Sequence, residues 1–233
     1  MTEDDARTAT PKLRFPEFED GPEWNGVTLC TIAKPVTQKA VAGDANIVLS
    51  LSGEHGIVRQ SDYFGKQIAD TNAERSIKIA RDDFVYNDRT TKQNVYGTIK
   101  RLTAHESGVV SPIYKCFRFE IGETPAFWDF YFESGTHDGP LSELVNEGAR
   151  AGRFNISIST FLSTAVWRPD HDEQQKIAAC LTSLEEVIAG QSRKVEALQA
   201  HKKGLTRMLF PGPGKTLPQL RFQGFHKGSE WSE

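Results

Sequence analysis

The sequence predicts a mixed α/β protein: a β-rich globule of about 150 residues followed by one long coiled-coil helix. Three observations predict it. From Glu173 to Leu209 the apolar residues Ile177, Leu181, Leu184, Ile188, Val195, Leu198, Leu205 and Leu209 fall, with Gln191 and Lys202, in an unbroken 4-3 alternation. That is the a/d seam of a heptad repeat. Between Trp24 and Pro169 most segments are short, β-branched or aromatic, and bounded by Gly, Asn, Asp or Pro. Finally, Pro11–Trp24 (PKLRFPEFEDGPEW) returns at Pro218–Trp231 (PQLRFQGFHKGSEW). The pairs Pro11/Pro218, Leu13/Leu220, Arg14/Arg221, Phe15/Phe222, Phe18/Phe225, Gly21/Gly228, Glu23/Glu230 and Trp24/Trp231 are identical. One full unit of a long repeat is therefore followed by the first residues of the next.

Taken in order, residues 1–10 are polar and aperiodic, a loose tail. Strands are expected at Val27–Ile32, Ile47–Leu51, Asp83–Tyr86, Tyr96–Leu102, Gly108–Val110 and Ile113–Phe119. Thr124–Glu133 reads as a helix because Thr-Pro supplies an N-cap with proline at the first helical position. A shorter helix is expected at Pro140–Glu147, then an irregular Phe154–Phe161 and a strand at Thr164–Arg168. Asp172 and Glu173 put negative charge in the first turn of the long helix, whose last turns carry Lys202, Lys203 and Arg207 before Pro211-Gly-Pro-Gly214 ends it. At ~1.5 Å per residue this helix would run on the order of 50 Å. Ala178, Cys180, Val187 and Met208 widen its apolar face. The competing reading is a core helix of a single globule, but the length favours pairing with an equally long helix. Gln191 and Lys202 on the seam would then fix register or direction.

Composition narrows the class. No apolar run approaches the ~18 residues that span a membrane, and no signal-peptide pattern opens the chain. Cys30, Cys116 and Cys180 are odd in number and widely spaced, and the six His are scattered, which fits a reducing cytoplasm without a disulfide or metal framework. The net charge of −3 is made of segregated blocks. Residues 119–149 carry seven acids and no Lys or Arg, whereas residues 59–118 hold eleven Lys/Arg against seven Asp/Glu. Such a distribution is compatible with a local phosphate-binding surface, and equally with solvated faces.

The densest polar stretch is DFVYNDRTTKQNVYGTIKR, residues 83–101. A strand ending at Tyr86 hands over to a loop, Asn87 to Asn94, whose side chains suit base edges and phosphates. Arg pairs with guanine, Asn and Gln with adenine, and Thr and Lys serve phosphates. Arg89, Lys92, Gln93 and Asn94 are the leading candidates for such contacts. Asn87, Thr90, Thr91, Lys100 and Arg101 support them, and Tyr86 and Tyr96 could pack on sugars or bases. Arg150 and Arg153, on the Gly-containing stretch ARAGRFN, form a second rank. An ordinary polar hairpin loop and a solvated turn are the plain alternatives. PGPGKT at 211–216 imitates a phosphate loop, but glycine is missing at Leu209 and a helix rather than a strand precedes it, so it is a linker. No methyltransferase signature, no G-x-S-x-G and no paired carboxylates stand out, which leaves the enzyme class without support.

Several of these features together resemble one family, the DNA-specificity subunit of type I restriction-modification systems. PKLRFPEF…EW looks like the opening of its target recognition domain, and DFVYN…YGTIKRL…SGVVS like that domain's centre. EGAR…NIS resembles its end, and DEQQKI, residues 172–177, looks like the opening of its spacer helix. The likeness spans residues 11–231. It implies a target recognition domain at 11–170, a spacer and dimerisation helix at 171–210, and a linker with the start of a second unit at 211–233. Members carry two recognition domains and two spacer helices; this sequence holds one of each.

The resemblance implies a non-catalytic chain that reads double-stranded DNA. Its partners would be a methyltransferase (modification) subunit and a restriction/translocase subunit, which would bind S-adenosylmethionine and ATP with magnesium; the chain itself would hold no cofactor. A lone seam would be satisfied by a second copy, giving a homodimer through Ile177, Leu181, Leu184, Ile188, Val195, Leu198, Leu205 and Leu209. Half-sites one helical turn apart (~35 Å) suit such a pair. The alternative from another class is a coiled-coil adaptor, or an inactive remnant, that binds the methyltransferase without reading DNA.

Overall fold

The computed structural model describes residues 7–41, 44, 47–64, 75–92, 94–144 and 155–225. Its elements run β1 (Thr8–Ala9), β2 (Trp24–Thr28), β3 (Ala33–Pro35), β4 (Val48–Ser52), β5 (Gly56–Arg59), α1 (Gln60–Phe64), β6 (Ile77–Ala80), β7 (Phe84–Asn87) and β8 (Thr98–Arg101). Then follow β9 (Ser107–Val110), β10 (Lys115–Phe119), α2 (Pro125–Glu133), α3 (Asp138–Leu144), α4 (Ile158–Leu162), β11 (Ala165–Arg168) and α5 (His171–Leu209). This is the mixed α/β architecture with one long helix that the sequence predicts. Contacts divide the chain into two compact units, Met1–Ala179 and Cys180–Glu233, so the division falls inside α5.

The first unit is built around a four-stranded sheet of order β3-β10-β7-β8, antiparallel throughout. Side chains on a strand alternate between faces, and β7 and β10 use the alternation to serve two cores. Phe84, Tyr86, Phe117 and Phe119 join Phe127, Trp128, Tyr131, Phe132 and Phe161 in an aromatic cluster on the helical side. Val85 and Cys116 point the other way, into a core with Leu49, Ile57, Ile79 and Val110. These last residues belong to a second sheet, β5-β4-β9-β6, in which only the β4/β9 pair is parallel. Burial here pushes the Cys116 thiol up to about 12, so it stays an inert core residue. A third sheet, β1-β2-β11, brings the two ends of the domain together.

Several elements differ from expectation. The strand placed at Val27–Ile32 ends at Thr28, because Leu29–Thr31 forms a 3-10 turn closed by the Thr31 hydroxyl donating to the Thr28 carbonyl at 2.7 Å. Phe154–Phe161, expected to be irregular, is so at 155–157 but turns helical from Ile158, where Ser157 accepts from the Thr160 N–H at 3.0 Å and caps α4. Thr124 does occupy the N-cap of α2, ahead of the proline, but its hydroxyl makes no cap bond. Its N–H instead donates to the Gln174 side chain at 2.9 Å. Strands β1, β3, β5 and β6 and helix α1 have no counterpart in the sequence reading; β1 pairs Thr8 and Ala9 with Asn25 and Trp24 where a loose tail was expected.

The repeated motif acquires a physical role at the start of α5. Arg14 donates from Nε and Nη2 to the two carboxylate oxygens of Glu173, at 2.8 and 2.6 Å, with side chains 5% and 2% exposed. It also donates to the carbonyls of Gly21 and Pro22 at 3.3 and 2.7 Å. Lys176 lies 5.5 Å over the Phe15 ring and 2.8 Å from Glu17. Gln174, fully buried, donates to Glu123 and to the Pro169 carbonyl. Glu123 in turn holds Arg168 and the Trp128 indole N–H. A buried polar clamp thus fastens the first turn of α5 into its own domain. In the second unit the motif's turn recurs: Phe225 N–H donates to the Phe222 carbonyl at 2.8 Å, as Phe18 N–H does to Phe15 at 2.9 Å.

Candidate nucleic-acid interface

The β7–β8 hairpin pairs Asn87 with Thr98 and Phe84 with Arg101, leaving residues 88–97 as the connecting loop. That loop is tied down at its root. Asp88 is buried and paired with Lys115 on the adjoining strand β10. Tyr86, whose phenol burial holds well above its usual pKa, donates to the Tyr96 carbonyl at 2.9 Å. Within the loop, Asn87 Oδ1 accepts from the Arg89 N–H at 3.2 Å. Thr91 and Asn94 close a small ring, with Thr91 N–H to the Asn94 carbonyl at 3.0 Å and Asn94 N–H to Thr91 Oγ1 at 2.9 Å. Side chains on such a braced loop start near one geometry, which lowers the ordering cost of meeting a ligand.

Gly97 completes the bracing. Its φ of +92° lies where side-chain-bearing residues are strained, and a Cβ there would stand 2.4 Å from the Asn87 carbonyl oxygen and 2.7 Å from the Tyr86 ring. Gly97→Ala is therefore expected to destabilise the domain by about 2 kcal/mol or more. Urea unfolding of the two proteins measures it, and a difference below about 0.5 kcal/mol would contradict the geometry.

The sequence-selected residues divide into three groups. Arg89, Thr91 and Lys92 are exposed at the loop, Asn87, Thr90, Asn94 and Tyr96 are half-buried, and Arg89 and Lys92 form no ion pair among the described residues. Lys100 and Arg101 are drawn inward by the acidic block. Lys100 lies 3.8 Å from Glu133, and Arg101 spans Asp129 at 3.2 Å and Asp82 at 3.3 Å. Burial raises the pKa of Asp129 while Arg101 pulls it back, as in an ion pair that holds α2 against β8. Gln93, Arg150 and Arg153 lie outside the described residues.

Sequence reasoning missed two neighbours of the loop. A cleft of about 540 Å³ opens beside it, lined among others by Gly53, Asn94, Lys100, Glu133 and His137. His137 is buried edge-on to Phe132 at 5.1 Å, and burial holds its imidazole below the usual pKa. The β4–β5 turn touches the loop through Gly53. No sequence signal links either to residues 88–97, because both contacts arise only on folding.

The seam of α5 begins inside the first unit, where Ile177 packs against the aromatic core. Leu181 is half-buried. Leu184, Ile188, Val195 and Leu198 are each more than half exposed, as is Val187 beside them, and Leu205 and Leu209 are intermediate. No described helix is long and apolar enough to cross a membrane.

No protein-family model and no curated protein matches this sequence. Solved structures do. One, described as the HsdS subunit from Thermoanaerobacter tengcongensis, matches 85% of this chain at a TM-score of 0.52 and 16% identity. The chain has the HsdS fold. A second, from work on complex assembly and conformational transition of the type I R-M system, matches 84% of the chain with the same score and identity. In both cases the chain spans about half (52%) of the HsdS-like structure it matches. At this identity the likeness shows the fold, the arrangement that the resemblance of sequence motifs had implied.

Proposed function

We propose that this chain is a DNA-specificity component of a type I restriction-modification system, reading double-stranded DNA in the cytoplasm through the loop at residues 88–97. The observation that carries the reading is the pairing of an HsdS fold with a braced loop whose cations Arg89 and Lys92 are exposed and without ion partners among the described residues. Arginine and lysine without carboxylate partners suit phosphates and the guanine edge, and half-buried Asn94 suits adenine. Lys100 and Arg101, tied to Glu133, Asp82 and Asp129, brace the hairpin from beneath.

On this proposal the chain performs no catalysis. A modification methyltransferase and a restriction/translocase subunit are its partners, and they bind S-adenosylmethionine, ATP and magnesium. The exposed stretch of the α5 seam pairs with a second copy of the chain, so that the assembly carries two recognition domains and favours an inverted-repeat site with an unread gap.

The test is selection of duplexes from a randomised pool with the purified full chain, followed by binding at fixed salt. A recovered consensus supports the reading; a pool without one, from a chain that still captures the methyltransferase, favours the adaptor. Arg89→Ala is expected to weaken binding to the selected duplex by about 1–3 kcal/mol if the guanidinium reads a base. Equal loss on selected and scrambled duplexes, with a flatter salt dependence, assigns it to phosphate instead. Unchanged affinity on both removes the loop from the interface.

A further inference from the structure

The turn joining β4 to β5 is the least expected neighbour of the candidate loop. Ser52 pairs with Gly56 across the hairpin, leaving Gly53, Glu54 and His55 at the tip. The tip is held on two sides: the His55 N–H donates to Ser52 Oγ at 3.1 Å, and the His55 ring meets the Tyr63 ring edge-on at 6.0 Å. Gly56, at a φ of +71°, lets the chain turn back into β5. Gly53 faces the loop so closely that a Cβ on it would lie 3.3 Å from the Asn94 side-chain nitrogen. Both residues line the same cleft.

This contact sets the turn that carries Glu54 against Asn94, a residue of the same loop that carries Arg89, Thr91 and Lys92. Its side chain is 86% exposed, and the His55 imidazole lies 3.9 Å from it. A carboxylate accepts hydrogen bonds and donates none. Against the sugar-phosphate backbone it is repelled, whereas in the major groove it meets exocyclic amino groups that can only donate. Among the described residues no lysine or arginine forms an ion pair with it.

We propose that the Gly53–His55 turn forms a second edge of the DNA-reading surface, with Glu54 accepting a hydrogen bond from an exocyclic amino group of a base. The assignment rests on the reading that residues 88–97 face DNA. It gives the surface an acceptor to complement the donors of Arg89 and Lys92, so that both kinds of base edge are legible.

The experiment compares wild type, Glu54→Gln and Arg89→Ala on the duplex selected above and on a scrambled one. Glu54→Gln keeps the shape but removes the charge. Expected is about a tenfold loss on the selected duplex, with relaxed preference at one base pair, and an unchanged or slightly higher affinity for the scrambled duplex. A rise on both duplexes would show that the carboxylate merely repels phosphate, and the proposal is overturned. Because the glutamine amide still carries an acceptor oxygen, no change on either duplex for Glu54→Gln and Glu54→Ala alike, while Arg89→Ala still weakens binding, removes the turn from the reading surface and leaves the loop in place. No change in either variant sinks the loop reading itself. Because Glu54 is exposed, unfolding does not confound the comparison, and Glu54→Ala repeats it without the amide's own donors.

Discussion

Arg14→Ala is expected to destabilise the domain by about 3–5 kcal/mol, a large share of the ~5–15 kcal/mol that holds a typical domain folded. The argument is one of what remains behind. Arg14 and Glu173 form a two-pronged ion pair almost entirely removed from water, and each partner's charge is stabilised by the other. Hydrogen bonding to Glu173 is the main reason the Arg14 pKa is raised. Without the guanidinium, a buried carboxylate loses both donors, and the Gly21 and Pro22 carbonyls lose theirs. The urea midpoint measures the loss. A paired replacement by apolar residues, Arg14→Met with Glu173→Leu, should restore most of it, because no charge is then stranded. A single-variant loss under about 1 kcal/mol would show that water reaches the pair. The prediction also bears on the proposed function: the clamp fastens the first turn of α5 to its domain, so, if that domain reads DNA, a loosened clamp should weaken the reading.

The same pair shows what was legible in the sequence and what was not. That Arg14 and Phe15 recur at Arg221 and Phe222 is plain from the letters, but the partner of Arg14 lies 159 residues away and nothing local announces it. The long helix was legible because a heptad pattern accumulates over many turns and its ends carry charge and proline signals. Strands β7 and β10 were legible because aromatic residues recur at every second position along them. By contrast β3, β5 and β6 (AKP, GIVR and IKIA) are short and hold no aromatic residue to mark an alternation. Helix α4 is five residues long and depends on one serine cap.

At the candidate site, residue type was legible and availability was not. Arg89 and Arg101 look alike in sequence. Only tertiary packing reveals that Arg101 is held by Asp82 and Asp129, 19 and 28 residues away, while Arg89 stands in solvent. The acidic block at residues 119–149 is in part the inner counterpart of the basic one, through Glu133 with Lys100 and Asp129 with Arg101.

Leu184→Asp is the companion prediction for the second unit. The seam residues Leu184, Ile188, Val195 and Leu198 leave more than half of their surface in water, a cost of exposed apolar area that a matching seam would relieve. In a two-fold pair every substitution enters twice. Each copy of Leu184→Asp exchanges a buried leucine for a carboxylate facing apolar side chains, which costs several kcal/mol, so the dimer should weaken by about a thousandfold or more. The wild type is expected to sediment at twice the 26.0 kDa chain mass, and the variant at one. Thr182→Asp, off the seam on the same turn, separates this from any loss of helix propensity and should stay dimeric. If pairing sets the two-part site, Leu184→Asp should keep the half-site preference and lose the requirement for a second half at fixed spacing, whereas Arg89→Ala should do the reverse. A wild type that sediments as a single chain at micromolar concentration would rule out self-pairing and assign the seam to a different subunit.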